Sequence, residues 1–169
     1  MRCRWFLLLV AVSPVVCVYG AGADDPAADK PDQAAARSEV VNGLRLDLES
    51  RVRPDGQPKL TIHVTNAGRE PLDLADRIPM FLEVQERPGH WRSYQHPRWG
   101  SDKLGKRFTF EPGHHESETE PVAAFTALPA GKHRVRVSLS FDRGMAKRYG
   151  FADLWTGVVR SSVVEVSVP

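Results

Sequence analysis

The sequence predicts an antiparallel all-β domain, a sandwich or barrel, behind a secretory leader. Three observations carry that expectation. Past Val40, apolar residues fall on alternate positions in several short runs, as in "GLRLDLES", "KLTIHVTN" and "HRVRVSLSF". Period two is the mark of a strand with one buried face. The segments between these runs are rich in Pro, Gly, Asn and Asp, which is turn chemistry. The chain shows no internal repeat and no long helical periodicity, and short strands separated by turn signals indicate a sandwich or barrel.

The first element is the leader. "MRCRWFLLLVAVSPVVCVYGAGADDP" opens with Arg2 and Arg4, continues as an apolar run from Trp5 to Tyr19, and ends in small residues at Ala21, Gly22 and Ala23. That order describes a signal peptide over residues 1–23, cleaved after Ala23. The run is broken by Ser13 and Pro14 and is shorter than the roughly 20 residues of a spanning helix, so no stable membrane span is expected after cleavage. Arg2 and Arg4 account for the whole formal charge of +2, and basic and acidic residues balance in the remainder. A neutral mature chain has no bulk electrostatic drive toward nucleic acid. The two cysteines, Cys3 and Cys17, both lie in the leader. The mature chain is therefore without thiol catalysis, redox exchange or cysteine-based zinc sites, although it is sent where disulfides form.

Residues 24–39, "DDPAADKPDQAAARSE", carry no large apolar side chain. Such a segment cannot offset its ordering entropy by burial and is expected to be a disordered tether. The domain is expected over residues 40–169. Leu44, Leu46 and Leu48 alternate with Arg45, Asp47 and Glu49. "RPDGQP" then turns the chain into Leu60, Ile62 and Val64. "NAGREP" is a second turn. "PMFLEVQERPGHWRSY" reads as a hairpin with Met80, Leu82 and Val84 on one face and Pro88-Gly89 at the bend. Phe108 and Phe110 share a face before Pro112-Gly113. Val135, Val137, Leu139 and Phe141 alternate with Arg134, Arg136, Ser138 and Ser140, so Ser138 is expected to tolerate an acidic replacement. One helix is predicted within Met145–Leu154, weakened by Gly150. Val164, Val166 and Val168 close the chain. Burying such side chains is worth roughly 1.5–3 kcal/mol each before entropy is subtracted, enough to hold the domain without disulfides.

"LPAGKHRVRVSLSF" followed by "WTGVVRSSVVEVSV" resembles the closing strand pair of immunoglobulin-like modules in exported bacterial proteins. "NAGREPLDL" and the "EPG" bend fit the same pattern, and the resemblance covers residues 43–168. It implies an immunoglobulin-like β-sandwich of about seven to nine strands in the periplasm or outside the cell, and it implies no reaction. The excursion over residues 142–154 is longer than a plain hairpin needs, and loops carry function more often than scaffolds do. The Pro-Gly bends are also similar to those of small β-barrel proteinase inhibitors, but no exposed reactive loop accompanies them.

Two constellations could carry chemistry. "EPGHHESETEP" sets His114 and His115 among Glu111, Glu116, Glu118 and Glu120. Adjacent histidines on a strand point to opposite faces, so only a loop would bring both to one ion. The favoured reading is a solvated bend with the glutamates on an exposed face, and no metal or other cofactor is expected. "RPGHWRSYQHPRWGSDK", residues 87–103, interleaves Trp91, Arg92, Tyr94, His96, Arg98 and Trp99. Rings beside guanidinium groups can stack on sugars or pair with carboxylates. Trp91, Arg92, Tyr94, Arg98 and Trp99 are the candidate binding residues, for an unknown protein or glycan. Ser161 and Ser162 lack the strand–turn–helix setting of a nucleophile, so their hydroxyls are expected to pair with backbone. The expectation is an exported, non-catalytic binding module at the cell envelope. The alternatives are a metal-binding protein or hydrolase using the His114/His115 bend, and an extracellular protease inhibitor.

Overall fold

The computed structural model describes residues 38–75, 78–97, 106–148, 150 and 153–169. The predicted leader (1–23), most of the predicted tether, and Arg98 and Trp99 lie outside the described residues. Ten strands are present among the described residues: β1 (Leu44–Val52), β2 (Pro58–Asn66), β3 (Leu72–Ala75), β4 (Met80–Arg87), β5 (His90–Gln95), β6 (Arg107–Phe110), β7 (His115–Pro121), β8 (Gly131–Phe141), β9 (Gly157–Arg160) and β10 (Val164–Val168). This exceeds the seven to nine expected, because β3, β6 and β9 have only four residues each and show little alternation.

All pairings are antiparallel. One sheet has the order β1-β2-β7, a second has β10-β8-β4-β5 with β9 also on β8, and β3-β6 forms a ribbon. The β1–β2 hairpin turns where Gly56 takes φ 79° and the Asp55 carboxylate accepts the Gln57 N–H at 3.1 Å. The predicted faces hold where they are apolar. Leu44, Leu46, Leu48, Leu60 and Ile62 from the first sheet meet Met80, Leu82, Val135, Val137 and Leu139 from the second in one core. Asp73 accepts hydrogen bonds from Arg107 and Thr109, which clamp the ribbon and hold the Asp73 carboxyl below its usual range.

Three local expectations need correction. The glutamates of β7 do not lie on the solvent face. Glu120, Glu118 and Glu116 are in register with Leu60, Ile62 and Val64, so they share the inward side of the sheet. Glu120 is buried and only Glu116 is fully exposed. The helix α1 spans Arg143–Arg148, starting earlier than predicted because the Asp142 carboxylate accepts the Met145 N–H at 2.7 Å. Ser138 faces outward by register, yet it is buried.

Candidate binding surface

The burial of Ser138 leads to an organised polar cluster on the second sheet. The β4–β5 hairpin reverses at Gly89, which takes φ 80°. Its register sets Gln85 opposite Trp91 and Glu83 opposite Ser93, while β8 sets Arg136 opposite Glu83. On the far side of β8, Arg160 of β9 lies opposite Ser138. Trp91, Glu83, Arg136, Ser138 and Arg160 therefore share the outward face of the second sheet.

Glu83 sits at the centre, with only 8% of its side chain exposed. Its carboxylate accepts hydrogen bonds from Ser138 Oγ at 2.8 Å and from Arg136 Nε at 2.7 Å. Arg160 Nε lies 3.4 Å away. The Arg136 guanidinium also stacks on Trp91, with Cζ 4.1 Å from the ring centroid. Burial pushes the Glu83 carboxyl up, but the bonds from Ser138 and Arg136 and the charges of Arg136 and Arg160 outweigh it, so the group is held below its ordinary value. A buried charge is tolerated only when paired and hydrogen-bonded in this way.

The candidate residues separate in space. Trp91 joins the Glu83 cluster. Arg92 and Tyr94 lie on the opposite side of β5, in register with Val84 and Leu82. There the Arg92 guanidinium is 5.4 Å from the Tyr94 ring centroid and 3.5 Å from Glu86. His96 leaves the aromatic run altogether. It is 1% exposed, packs edge-on to Phe125 at 4.8 Å, and places Nε2 3.7 Å from Glu120. His114 stacks on Phe110 at 4.6 Å and lies 3.6 Å from Glu116, whereas His115 opens β7 opposite Thr65. Among the described residues, no group of three or more His, Cys, Asp or Glu is placed to hold a metal ion. Ser161 Oγ accepts the Val137 N–H at 2.9 Å and donates to the Ser162 carbonyl at 2.8 Å, a stitch at the break between β9 and β10.

Sequence reasoning missed Glu83, Ser138 and Arg160 as parts of one cluster. Alternation places each on an outward face, but which strands are neighbours is set by the sheet order, which no local pattern carries. Among the described residues, no helix is long and apolar enough to cross a membrane.

No family model and no curated protein matches the chain. Among solved structures, the chain is similar to one described as the X-ray structure of Northeast Structural Genomics Consortium target SoR45. The identity is 13%, the match covers 78% of this chain and 91% of that one, and the TM-score is 0.44.

Proposed function

We propose that the chain is an exported, non-catalytic binding module with an immunoglobulin-like sandwich architecture, engaging a protein partner through the outward face of its second sheet. The strand orders support the architecture. With β1, β2, β4, β5, β7, β8 and β10 taken as strands A, B, C, C′, E, F and G, the sheets read A-B-E and G-F-C-C′. The leader-like residues 1–23 support export.

One observation carries the binding role: a tryptophan and two arginines are held in place by a buried carboxylate on an outward sheet face. Trp and Arg dominate the energetics of protein interfaces, and fixing their rotamers beforehand lowers the entropy cost of association. The charge is complementary to an acidic surface. Lys132 and Glu165 neutralise each other at 2.8 Å, which leaves Arg134, Arg136 and Arg160 against Glu83. Protein is favoured over glycan because Arg136 already stacks on the Trp91 ring that a sugar would use.

Affinity capture from cell-envelope extracts tests this reading with the mature chain, Trp91→Ala and Arg160→Glu. A protein retained by the wild type should be lost or weakened about tenfold in both variants, and its capture should weaken with salt. Identical capture profiles for all three, with unchanged melting curves, would sink the reading. Capture that survives protease treatment of the extract would move the partner to the glycan class.

A further inference from the structure

The edges of the two sheets are not alike. β5 is the last strand of the second sheet, and among the described residues no strand pairs with its outer side. The His96 N–H donates to the Met80 carbonyl at 2.9 Å, so the main chain of His96 faces β4. Main-chain groups alternate in direction along a strand. Tyr94 and Arg92 therefore face β4 as well, whereas Trp91 and Ser93 turn their N–H and C=O groups away from it, to the edge. Such an edge is a template for another strand, and proteins normally blunt it. Two other edges are blunted here. β7 carries Glu116, Glu118 and Glu120 at inward positions. On β10, the Glu165 carbonyl accepts the Ser50 hydroxyl of β1 at 3.0 Å. β5 has neither device between Trp91 and Ser93.

Charge and facing define the occupant. The side chains of Trp91 and Ser93 lie on the outward face with Glu83, and the Arg136 guanidinium reaches over to stack on Trp91. Two guanidiniums, of Arg136 and Arg160, stand there against the single Glu83 carboxylate. On the other side of β5, Tyr94 packs against the core. A strand added antiparallel would place the residues that bond to Trp91 and Ser93 on the outward face, where carboxylates complement the guanidiniums. Its alternate residues would lie beside Tyr94, where apolar side chains fit. β5 itself carries Arg92 and no acid. A second copy is a poor occupant, because the register that pairs Trp91 of one copy with Ser93 of the other sets the two Arg92 side chains directly opposite each other. Resting on the outward face as the docking surface, we propose that the partner adds an extended, antiparallel segment to β5. That segment alternates acidic and apolar residues and bonds to the main chain of Trp91 and Ser93.

Isothermal titration calorimetry of the mature chain with a blocked heptapeptide alternating valine and glutamate, and with its valine–lysine counterpart, tests the proposal. The acidic peptide should bind at least about tenfold more tightly than the basic one. Amide exchange at Trp91 and Ser93 should slow when it binds. N-methylation of the glutamates, whose main chain faces β5, should abolish binding, whereas N-methylation of the valines should not. Ser93→Pro removes an N–H that faces away from β4, a position where an edge strand accepts proline. It should weaken the acidic peptide at least about tenfold, with far-UV circular dichroism and melting curves establishing that the variant is folded. Binding of neither peptide, or equal binding of both, overturns the proposal. Acidic-peptide binding that survives either Ser93→Pro or N-methylation of the glutamates also overturns it. A peptide-free chain that sediments as a dimer with Trp91 and Ser93 protected would give the edge to a second copy instead. Envelope capture lost in Trp91→Ala but kept in Ser93→Pro would remove the added strand and leave the docking face in place.

Discussion

Glu83 is the residue on which the outward face depends. A carboxylate at that depth would be expelled or protonated if it stood alone, and it remains because Ser138, Arg136 and Arg160 supply its bonds and charge. Its carboxyl is held below the ordinary glutamate value of 4.5. A depressed folded-state value means that the stabilisation is complete above the unfolded-state value and is lost as pH falls through the folded one. Glu83→Gln keeps the shape but removes the charge facing two guanidiniums. Its expected cost is about 2 kcal/mol at neutral pH. The difference from wild type should shrink as pH drops below 4.5. Urea titrations at neutral and acid pH measure both quantities, and a difference that stays constant down to acid pH would contradict the assigned charge state. Ser138 faces outward but is buried and donates to Glu83, so a replacement by Asp would press a second carboxylate against Glu83 and is expected to destabilise the face.

At the scale of elements, the ribbon β3–β6 is held by one side chain from another sheet. Asn66 ends β2 and is completely buried. Its Nδ2 donates to the carbonyls of Glu70 and Phe110, both at 2.8 Å, and its Oδ1 accepts the Gly68 N–H at 2.9 Å. Backbone pairing extends this, with Asn66 N–H donating to the His114 carbonyl and Gly113 N–H to the Asn66 carbonyl. Asn66→Ala removes three side-chain bonds and strands two carbonyls and an amide, so it should cost about 3 kcal/mol. Hydrogen exchange should speed up first in the 67–75 and 107–113 segments, and uniform protection across the chain would refute the role of the side chain. The long strands are legible because β1, β2, β4 and β8 each bury a run of alternate residues over most of their length. β3 and β6 are not, since four residues give too little period to read. The glutamates of β7 misled for a related reason. Alternation reveals that Glu116, Glu118 and Glu120 share a face, but polarity assigned them to water. The partner strand β2 decides otherwise, through the register of Leu60, Ile62 and Val64.

At the scale of the domain, Trp155 ties together segments far apart in the chain. This side chain is 5% exposed and sits in the common core. Its Nε1 donates to the Val41 carbonyl at 3.1 Å, a contact spanning 114 residues, and its backbone N–H donates to the Asp73 carbonyl at 2.8 Å. The Asn42 amide, in turn, donates to the Thr156 carbonyl at 2.8 Å. Glycine is favoured at position 157 beside it, because the residue takes φ 155° and a Cβ there would lie 3.1 Å from the indole and 3.3 Å from Val41. The start of the domain, the ribbon and the entry to β9 thus meet at Trp155, and both sheets contribute to one core with no disulfide to divide or staple it. Small domains built this way unfold in a single cooperative step. Trp155 reports from the core and Trp91 from the outward face, so the two can be read separately. In the mature chain, Trp91→Phe/Trp99→Phe leaves Trp155 as the reporter, and Trp155→Phe/Trp99→Phe leaves Trp91. The second variant loses the core contact and should be the less stable by about 3 kcal/mol, given the indole bond and the packing volume removed. Within each variant, the urea midpoints by tryptophan fluorescence and by far-UV circular dichroism should nonetheless coincide. A Trp91 transition that precedes the loss of sheet signal would mean that the β4–β5 hairpin opens on its own, and that the face carrying Glu83 is a separate cooperative unit from the core beneath it.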